Sequence, residues 1–489
     1  MTKLFLDLHV LQTVPPSNVN RDDTGSPKSA MFGGSRRARV SSQAWKRAVR
    51  LDFQEYLSPD KLGVRSKRLI ERIGEGIATH APELGEQSEE LAQKLLDKLG
   101  LKAEKPKRNT KGEDDEEDPS AELQYLVFLS NQQIRNLAEY AATTAQAGEE
   151  PNKKEAAAVA KIDHSIDIAL FGRMVADLTD LKVDAAAQVA HAISVHPVET
   201  EFDYFTAVDD IENEAHAGAG MIGTVEFNSS TLYRYATVNI PALLETLGDE
   251  TALIEAVEAF IISFVRSMPT GKQNTFAHRT LPHAVVATLR TDQPINLVGA
   301  FEAPARAKGG VTVLRAAASQ LAEHSQRIDE TYLAPGTDAP KQWVVTAHVD
   351  AEPLTALGEH VPMADLLTEA LKGASELSDS WAMVLIRDTM GRARLQGMTP
   401  WAALGDLGDE LGVEELRDLA AALALVAEDG AKVRESLTAR AASMRQRELA
   451  DAESQASAKS QSMLVAQLLL CAGFLVFLMY PALAGIVGL

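Results

Sequence analysis

The sequence predicts an α+β fold with helical insertions. Segments with strictly alternating apolar residues, such as 3–10 and 231–240, indicate β-strands. Long amphipathic helical patterns separate these strands without a regular β-α repeat, which argues against a parallel α/β sheet. At 489 residues the chain is long for one domain, so two or three structural parts are expected.

The first strand is predicted over residues 3–10. Its alternate side chains from Leu4 to Val10 are apolar and lie on one face, so one buried face is expected. The alternation differs from the continuous apolar run of a secretory signal. The segment 15–18 (Pro-Pro-Ser-Asn) is expected to end the strand.

A helix is predicted over residues 43–56, with Ser41 and Ser42 as N-cap candidates. Its apolar side chains recur at helical spacing and form the expected buried stripe: Trp45, Ala48, Val49 and Phe53. Lys46 and Arg50 lie off this stripe one turn apart. Such a pair of like charges weakens an isolated helix, so it indicates that an anion lies against this face. Replacing both with Glu is expected to leave the fold intact.

The rest of the chain up to residue 376 divides into helical and mixed regions. Residues 60–103, 121–148 and 153–195 are expected to be helical. Residues 104–120 contain six consecutive acidic residues and are expected to be a disordered insertion. The mixed region is predicted to hold strands at 231–240, 284–289, 295–301 and 343–349, and a helix at 242–267.

The C-terminal part predicts a helical extension over 377–462, followed by one transmembrane helix over 463–489. These last 27 residues carry no charged side chain, and about 20 apolar residues span a bilayer. A buried core helix is the alternative. Basic residues precede the segment and none follows it, so the N-terminal side is expected in the cytoplasm, tethered to the inner face of the cell membrane.

The charge distribution indicates a polyanion site near the N-terminus. The net charge of −21 by itself argues against a nucleic-acid-binding protein. Residues 1–50, however, hold nine basic and three acidic residues. Such an asymmetry is typical of a basic segment that binds a polyanion, although an ordinary solvated surface is the alternative.

The segments 20–23 and 31–50 are suited to phosphate. Gly33 and Gly34 allow a tight turn, and alternation places Arg37 and Arg39 on one strand face. The helix that begins near Ser41 offers free backbone N–H groups, which attract phosphate. Together with Lys46 and the arginines, these features predict a track for a phosphodiester backbone. Few aromatic residues are present to stack bases, so contacts should follow the backbone more than the base sequence.

Other classes of site are disfavoured. Residues 218–223 match GxGxxG, but an acidic segment precedes them and a strand-like segment follows, so a hairpin tip is favoured over a dinucleotide site. The single cysteine, Cys471, lies in the apolar tail. No histidine, cysteine or carboxylate pattern has metal-ligand spacing. We therefore expect no catalytic activity, no cofactor and no metal site.

Six blocks of sequence carry a resemblance to a known family. They are residues 20–23 (NRDD), 32–50 (FGGSRRARVSSQAWKRAVR), 167–174 (DIALFGRM), 190–193 (AHAI), 203–210 (DYFTAVDD) and 233–236 (YRYA). In this order they resemble the CasC (Cse-type) family, the repeated backbone subunits of the type I-E CRISPR Cascade complex. The resemblance covers residues 1–376.

The resemblance implies an RRM-like (ferredoxin-like) palm, a helical fingers insertion and a thumb hairpin at about 200–229. It implies a non-catalytic subunit whose copies stack along CRISPR RNA beside other Cascade subunits. The subunits hold the RNA phosphates and present the guide bases to target DNA. The residues it implies as RNA contacts are Lys28, Arg39, Ser41, Gln43, Lys46, Arg50, Lys272 and Gln273, with Met174 and Met221 as wedges beside a displaced base. The alternatives are a solvated loop for Lys28, an ordinary first turn for Gln43 and a core position for Met174.

The tail departs from this family, whose members normally stop near residue 372. Residues 388–489 resemble the C-terminal part of TadC-like type II secretion F proteins. The tail is therefore a genuine tether, a fusion or a joined reading frame. The alternative function that it implies is a membrane component of a type II/Tad-like secretion apparatus.

Overall fold

The structure of the protein, a computed structural model, confirms the α+β prediction. It describes residues 3–104, 121–174, 181–207, 221–333 and 339–375, together with 398–411 and single positions between 389 and 424. The chain divides into two units, 1–420 and 421–489, and nearly all of the second lies outside the described residues. The domain bounds predicted at 376 and 462 stay predictions.

The described strands and helices have the following bounds. The strands are β1 Phe5–Ser17, β2 Ser29–Phe32, β3 Ser35–Val40, β4 Gly63–Ser66, β5 Ala103–Glu104, β6 Glu122–Leu123, β7 Val127–Ser130, β8 Ala187–Val189, β9 Ala192–Ser194, β10 Glu201–Ala207, β11 Met221–Asn239, β12 Ala284–Arg290, β13 Lys341–Thr346 and β14 Glu359–His360. The α-helices are α1 Ser42–Asp52, α2 Leu69–His80, α3 Ser88–Lys98, α4 Asn131–Gln146, α5 Lys153–Lys161, α6 Ile166–Phe171, α7 Ile240–Leu247, α8 Glu250–Arg266, α9 Gln273–Phe276, α10 Val313–Tyr332, α11 Met363–Ser375 and α12 Pro400–Leu411. The 3-10 helices are Phe53–Glu55, Pro59–Lys61, Pro82–Gln87, Leu297–Phe301 and Val349–Ala356.

The main sheet has the strand order β14-β13-β12-β1-β11-β9-β3-β2, and β8 and β10 also pair with β11. The central strand β1 is antiparallel to β11 on one side and to β12 on the other. The helices α7 and α8 connect β11 to β12. Since β11 and β12 both run opposite to β1, they are parallel to each other, and the connection between them is a split β-α-β unit.

Helices cover both faces of this sheet. Leu6 and Leu8 of β1 belong to a core that includes Phe260 of α8 and Leu367 of α11. Leu11, in the middle of the same strand, packs in a second core that includes the apolar side chains of α10. The prediction of one buried face is therefore wrong. Asp7 and His9, which alternate with the leucines, are buried under the second helical layer.

The strand β1 also extends past its prolines to Ser17. It pairs with β12 only as far as Leu11, and its register with β11 shifts between Val14 and Ser17. A proline has no N–H to donate, but it is tolerated at an irregularity where one neighbouring strand is absent. The strand thus ends within the predicted segment 15–18, after its second proline.

Residues 295–301, predicted as a strand, form the 3-10 helix Leu297–Phe301. The Asn296 side chain caps it by accepting from the Val298 N–H at 3.0 Å. The buried carboxylate of Asp7 accepts from the Ile295 N–H at 2.9 Å. A short apolar run does not distinguish strand from helix by its periodicity, and here these two side chains favour the helical turn.

The helices α2 to α5 form an insertion with its own core, which includes Ile73, Leu95 and Leu137. The strands β5 and β6 pair antiparallel where the acidic segment leaves and re-enters this insertion. Residues 105–120 of that segment lie outside the described residues, so its predicted disorder stays a prediction.

The predicted transmembrane helix over 463–489 also lies outside the described residues. In the part of the chain that the structure describes, no helix is long and apolar enough to cross a membrane. The transmembrane assignment stays a prediction.

Candidate nucleic-acid interface

The hairpin of β2 and β3 precedes the helix that carries the predicted cations. Its turn has Gly33 at φ +55° and Gly34 at φ +72°, in the region that favours glycine. A Cβ on Gly33 would lie 1.7 Å from the carbonyl oxygen of Glu302, so only glycine fits there. The tight turn and close approach predicted for this pair are confirmed.

Arg37 and Arg39 follow this turn on β3 and have different environments. The Arg37 guanidinium is buried and donates to the carbonyl oxygens of Ser194 and Phe301, both at 2.9 Å. Arg39 is only half-buried. The prediction of a shared cationic strand face is therefore corrected: Arg37 links β9 to the 3-10 helix Leu297–Phe301, and Arg39 remains at the surface.

The segment Asn18-Val19-Asn20 organises the surroundings of Lys28 and Ser41. The Asn20 side-chain oxygen accepts from the Ser41 N–H at 2.9 Å, and its carbonyl oxygen accepts from the Lys28 N–H at 2.9 Å. The Lys28 carbonyl oxygen in turn accepts from the Arg39 N–H at 2.9 Å. Lys28 thus belongs to an anchored loop, and it lies beside the start of α1.

The helix α1 runs over Ser42–Asp52 and continues as the 3-10 helix Phe53–Glu55, close to the predicted 43–56. The predicted buried stripe is confirmed. The Cζ atom of Arg234 lies 3.8 Å from the centroid of the Trp45 ring. Ser41 is the N-cap, and its hydroxyl accepts from the Ala44 N–H at 3.3 Å. That hydroxyl oxygen is engaged in capping, whereas Gln43 is exposed in the first turn.

His191 lies beside this helix start, and the sequence did not single it out. Its Nδ1 lies 3.2 Å from the Ser42 N–H donor nitrogen and 3.4 Å from Nη1 of Arg39. Burial, then the charges of Arg39 and Lys28, lower the pKa of His191. The positive charges of Lys28 and Arg39 are therefore both felt at the His191 ring. The pairing of Arg39 with Ile193 of β9, which brings His191 here, is not visible in the local sequence.

Lys46 and Arg50 differ in a way that the sequence did not predict. Lys46 is half-buried, its Nζ lies 5.9 Å from the centroid of the Phe171 ring, and burial lowers its pKa. Arg50 pairs with the buried Asp167, with 3.2 Å between Nε and Oδ2, and its guanidinium lies 4.3 Å from the Phe128 ring centroid. Burial raises the pKa of Asp167. This ion pair argues against the expectation that Arg50 can be replaced by Glu without loss of stability, which stays a prediction to be tested.

Met174 lies at the surface. The segment before it is fixed by Arg173, whose buried guanidinium donates to the Gln133 side-chain oxygen at 2.9 Å and to the Leu181 carbonyl oxygen at 2.6 Å. The Met174 side chain itself is 89% exposed. The alternative of a core position is therefore wrong. Since Phe171 contacts Lys46, Met174 lies within three residues of the α1 surface.

The predicted thumb is an antiparallel hairpin of β10 and the start of β11, paired from Glu201↔Phe227 to Ala207↔Met221. Residues 208–220 lie outside the described residues. The predicted tip at 218–223 is partly wrong, because Met221 and Gly223 already belong to β11. Of the Met221 side chain nothing is described.

Two exposed aromatic residues on this hairpin were missed. Phe202 and Tyr204 alternate on one face of β10 and are 66% and 63% exposed. The signal that could have revealed them is the alternation of aromatic and acidic residues within this strand, which lies outside the core.

The base of the hairpin returns to the segment 18–20. The Asn18 side-chain amide donates to the Glu226 carbonyl oxygen at 2.9 Å. A Cβ on Gly271 would lie 2.2 Å from the Val19 carbonyl oxygen, so the 271–273 loop packs tightly against the same segment. Lys272, next in the chain, adopts a left-handed backbone at φ +52°. The loop that carries Lys272 and Gln273 therefore packs against the segment to which Lys28 and Ser41 are hydrogen-bonded.

Half-buried and exposed cations and amide side chains thus gather round residues 18–20, whereas the N–H groups of Ser41, Ser42 and Ala44 at the helix start are already engaged within the fold, contrary to the prediction that they are free. This set of donors suits the phosphates of a nucleic acid. Among the described residues, no group of three or more His, Cys, Asp or Glu side chains is placed to hold a metal ion.

The fold and this surface define an α+β protein with a candidate polyanion-binding face. Residues 6–369 match the family model of CT1975-like proteins, and the chain belongs to that family. The family resemblance predicted from the sequence blocks is thereby confirmed. Residues 357–481 match the model of protein F of the type II secretion system (T2SS), as the resemblance of the tail predicted.

Two solved structures are similar to this chain. One, described as "CRISPR RNA-guided surveillance complex, pre-nicking", is 33% identical, covers 76% of this chain and 100% of its own, and has a TM-score of 0.64. The other, described as "CRISPR RNA-guided surveillance complex", is 29% identical, covers 76% of this chain and 99% of its own, and has a TM-score of 0.49. The comparison with curated protein sequences gives no match.

Proposed function

We propose that this protein is a structural subunit of a type I-E CRISPR Cascade surveillance complex. Membership of the CT1975-like family supports the proposal, as does the 33% identity to a chain of an RNA-guided surveillance complex over that chain's whole length. Copies of the subunit oligomerise along CRISPR RNA, contact other Cascade subunits and present guide bases to target DNA. The subunit has no catalytic activity of its own and works in the cytoplasm.

The observation that carries the proposal is the convergence of cations on the segment 18–20. Lys28, Arg39 and the start of α1 are tied to this segment or to each other by backbone hydrogen bonds near 2.9 Å. Local cations in an acidic chain favour a specific phosphate track over general attraction. The main contacts are therefore with phosphates, which position a strand without reading its sequence.

The split β-α-β unit round β1 supports the finer assignment of an RRM-like palm, with α2 to α5 as fingers. The hairpin of β10 and β11 acts as the thumb. Exposed Met174, near Lys46, inserts beside a displaced base, and Met221 is the second wedge. An exposed methionine suits this role because its thioether side chain is flexible and makes favourable contacts with aromatic rings.

The test is recovery and sequencing of RNA from the purified full-length protein complex. We expect a defined short RNA that is protected at regular intervals. In binding assays, Lys46→Ala should weaken affinity for single-stranded RNA about tenfold, as expected for one lost charged contact. Lys94→Ala, on the exposed face of α3, is the matched control. Absence of RNA from the complex would refute the proposed function. Equal RNA affinities of the Lys46→Ala and Lys94→Ala variants would refute the proposed site.

A second candidate function rests on the tail alone. Residues 357–481 match protein F of the type II secretion system, which favours a membrane component or a tether to the inner face of the membrane. Deleting residues 460–489 should then move the protein out of the membrane fraction. A full-length protein that stays in the supernatant without detergent would argue against any membrane anchor.

A further inference from the structure

A cavity lies beside α1 and shares Arg50 with the proposed RNA track. It has a volume of about 210 Å³, and its walls include Arg47, Arg50 and Leu51 from α1 and Gly63 and Arg65 from β4. The α1 residues are three and four positions apart and therefore share one helix face. Gly63 and Arg65 alternate on one face of β4, so both walls are set by secondary structure.

The carboxylate that lines the cavity, Asp167, already has hydrogen-bond donors within the fold. The Asp167 carboxylate accepts from Arg50 Nε at 3.2 Å, from the Gly63 N–H at 3.0 Å and from the Ser165 hydroxyl at 2.7 Å. A Cβ on Gly63 would lie 2.9 Å from the Leu129 carbonyl oxygen, so a larger residue would displace β4 from its neighbour β7. Asp167 thus orients Arg50 and has donors on both of its oxygens.

The cations that line the cavity outnumber its acids. Three guanidinium groups face one carboxylate. Arg50 uses only its Nε on Asp167 among the described residues, which leaves its terminal amino groups for another partner. The side chains of Arg47 and Arg65 are exposed, and neither side chain has a hydrogen bond or ion pair in the described part of the chain. An unfilled set of guanidinium donors matches the oxygens of a phosphate group.

We propose that this Arg47–Arg50–Arg65 cavity binds one phosphate of a single-stranded RNA. Its volume is below the usual range for drug-sized ligands and suits a single phosphate group better than a whole nucleotide. Arg50 lies one turn from Lys46 and also lines the cavity, so a strand that follows Lys46 continues into it. The inference rests on the proposed RNA-binding function and adds a second phosphate position, between α1 and the inserted helical region.

The experiment compares RNA binding by full-length variants over a range of salt concentrations. Arg47→Ala with Arg65→Ala removes two exposed charges and leaves the Arg50–Asp167 pair intact. Arg68→Ala with Arg72→Ala, on the exposed face of α2, is the control of equal charge. We expect about tenfold weaker binding for the first pair only, with the slope of log affinity against log salt reduced by about 0.7 for the lost phosphate contact. Equal RNA affinities of the two double variants would overturn the proposal that the cavity binds an RNA phosphate.

Two further arms separate the remaining outcomes. Arg47→Lys with Arg65→Lys keeps both charges, so it should recover most of the salt slope, and a variant as weak as the alanine pair would count against the proposal. If inorganic phosphate stabilises the wild type but not the alanine pair while their RNA affinities are equal, the ligand is free phosphate and the RNA assignment is wrong. If Lys46→Ala weakens RNA binding and the cavity variants do not, the proposed function stands and the cavity inference fails.

Discussion

Removal of the Arg50 side chain should destabilise the fold, although Lys46, one turn away, carries the same charge. Asp167 is 3% exposed and Arg50 24% exposed at the side chain, so Arg50→Ala leaves a buried carboxylate without its cation. Breaking a buried pair by removing one partner costs about 3–5 kcal/mol. The donors Gly63 and Ser165 remain, so we expect a loss near the lower end, about 3 kcal/mol. Lys46→Ala, with no ion pair among the described residues, should change stability by less than about 0.5 kcal/mol.

The assay is urea unfolding of both variants, followed by a double-mutant cycle. With a slope of about 3 kcal/mol per molar urea, Arg50→Ala should lower the midpoint by about 1 M. In an Asp167→Asn background the same substitution should cost less than about 1 kcal/mol, because no charge is left unpaired. An equal loss in both backgrounds, or an unchanged midpoint, would refute the assignment of the ion pair.

The pH dependence gives an independent check on the same pair. Burial raises the pKa of Asp167 above its ordinary value of 3.8, and the loss of Arg50 removes an interaction that lowers it. The folded state of Arg50→Ala therefore binds a proton more tightly than the unfolded state. Its deficit in stability should shrink as the pH falls through the folded-state pKa. A deficit that grows on acidification would contradict this reasoning.

Two further predictions concern other titrating groups. The charges of Arg39 and Lys28 lower the pKa of His191 in the free protein, and a bound phosphate offsets these charges, so this pKa should rise when RNA binds. An NMR titration of His191 with and without RNA measures the change. An unchanged pKa would contradict the proposed RNA site. Burial raises the pKa of Asp7 from 3.8 to about 6, so its ionised form costs about 3 kcal/mol above pH 6, and this cost disappears as the pH falls towards 4. The free energy of unfolding of Asp7→Asn should therefore not increase in this way on acidification. A pH profile of that free energy identical to that of the wild type would contradict the raised pKa of Asp7.

Local periodicity accounts for what the sequence predicted well. The spacing of Trp45, Ala48, Val49 and Phe53 predicts the buried stripe of α1, and all four are buried. The N-cap at Ser41 and the turn at Gly33 depend on residues next to them in the chain. Features of this kind are decided by chemistry within a few residues, which a sequence displays directly.

The incorrect predictions share a different cause, which is a partner distant in the chain. Arg50 and Asp167 are 117 residues apart, and Arg37 bonds to the carbonyl oxygens of Ser194 and Phe301. Residues 295–301 are held as a helical turn in part by Asp7, 288 positions before Ile295. No local pattern shows such pairings. A cation that looks solvent-facing by periodicity can therefore be a structural one.

The same distinction explains how a chain of net charge −21 can hold a polyanion. At physiological ionic strength, charges more than about 8 Å apart at the surface are largely screened, so remote acidic residues do not cancel a local cationic face. What matters is which cations lack an internal partner. Arg37 and Arg50 are engaged within the fold, whereas Lys46, Arg47 and Arg65 have no ion pair among the described residues. The acidic excess elsewhere repels nucleic acid that does not reach these positions, so it favours one path for the strand over general adhesion.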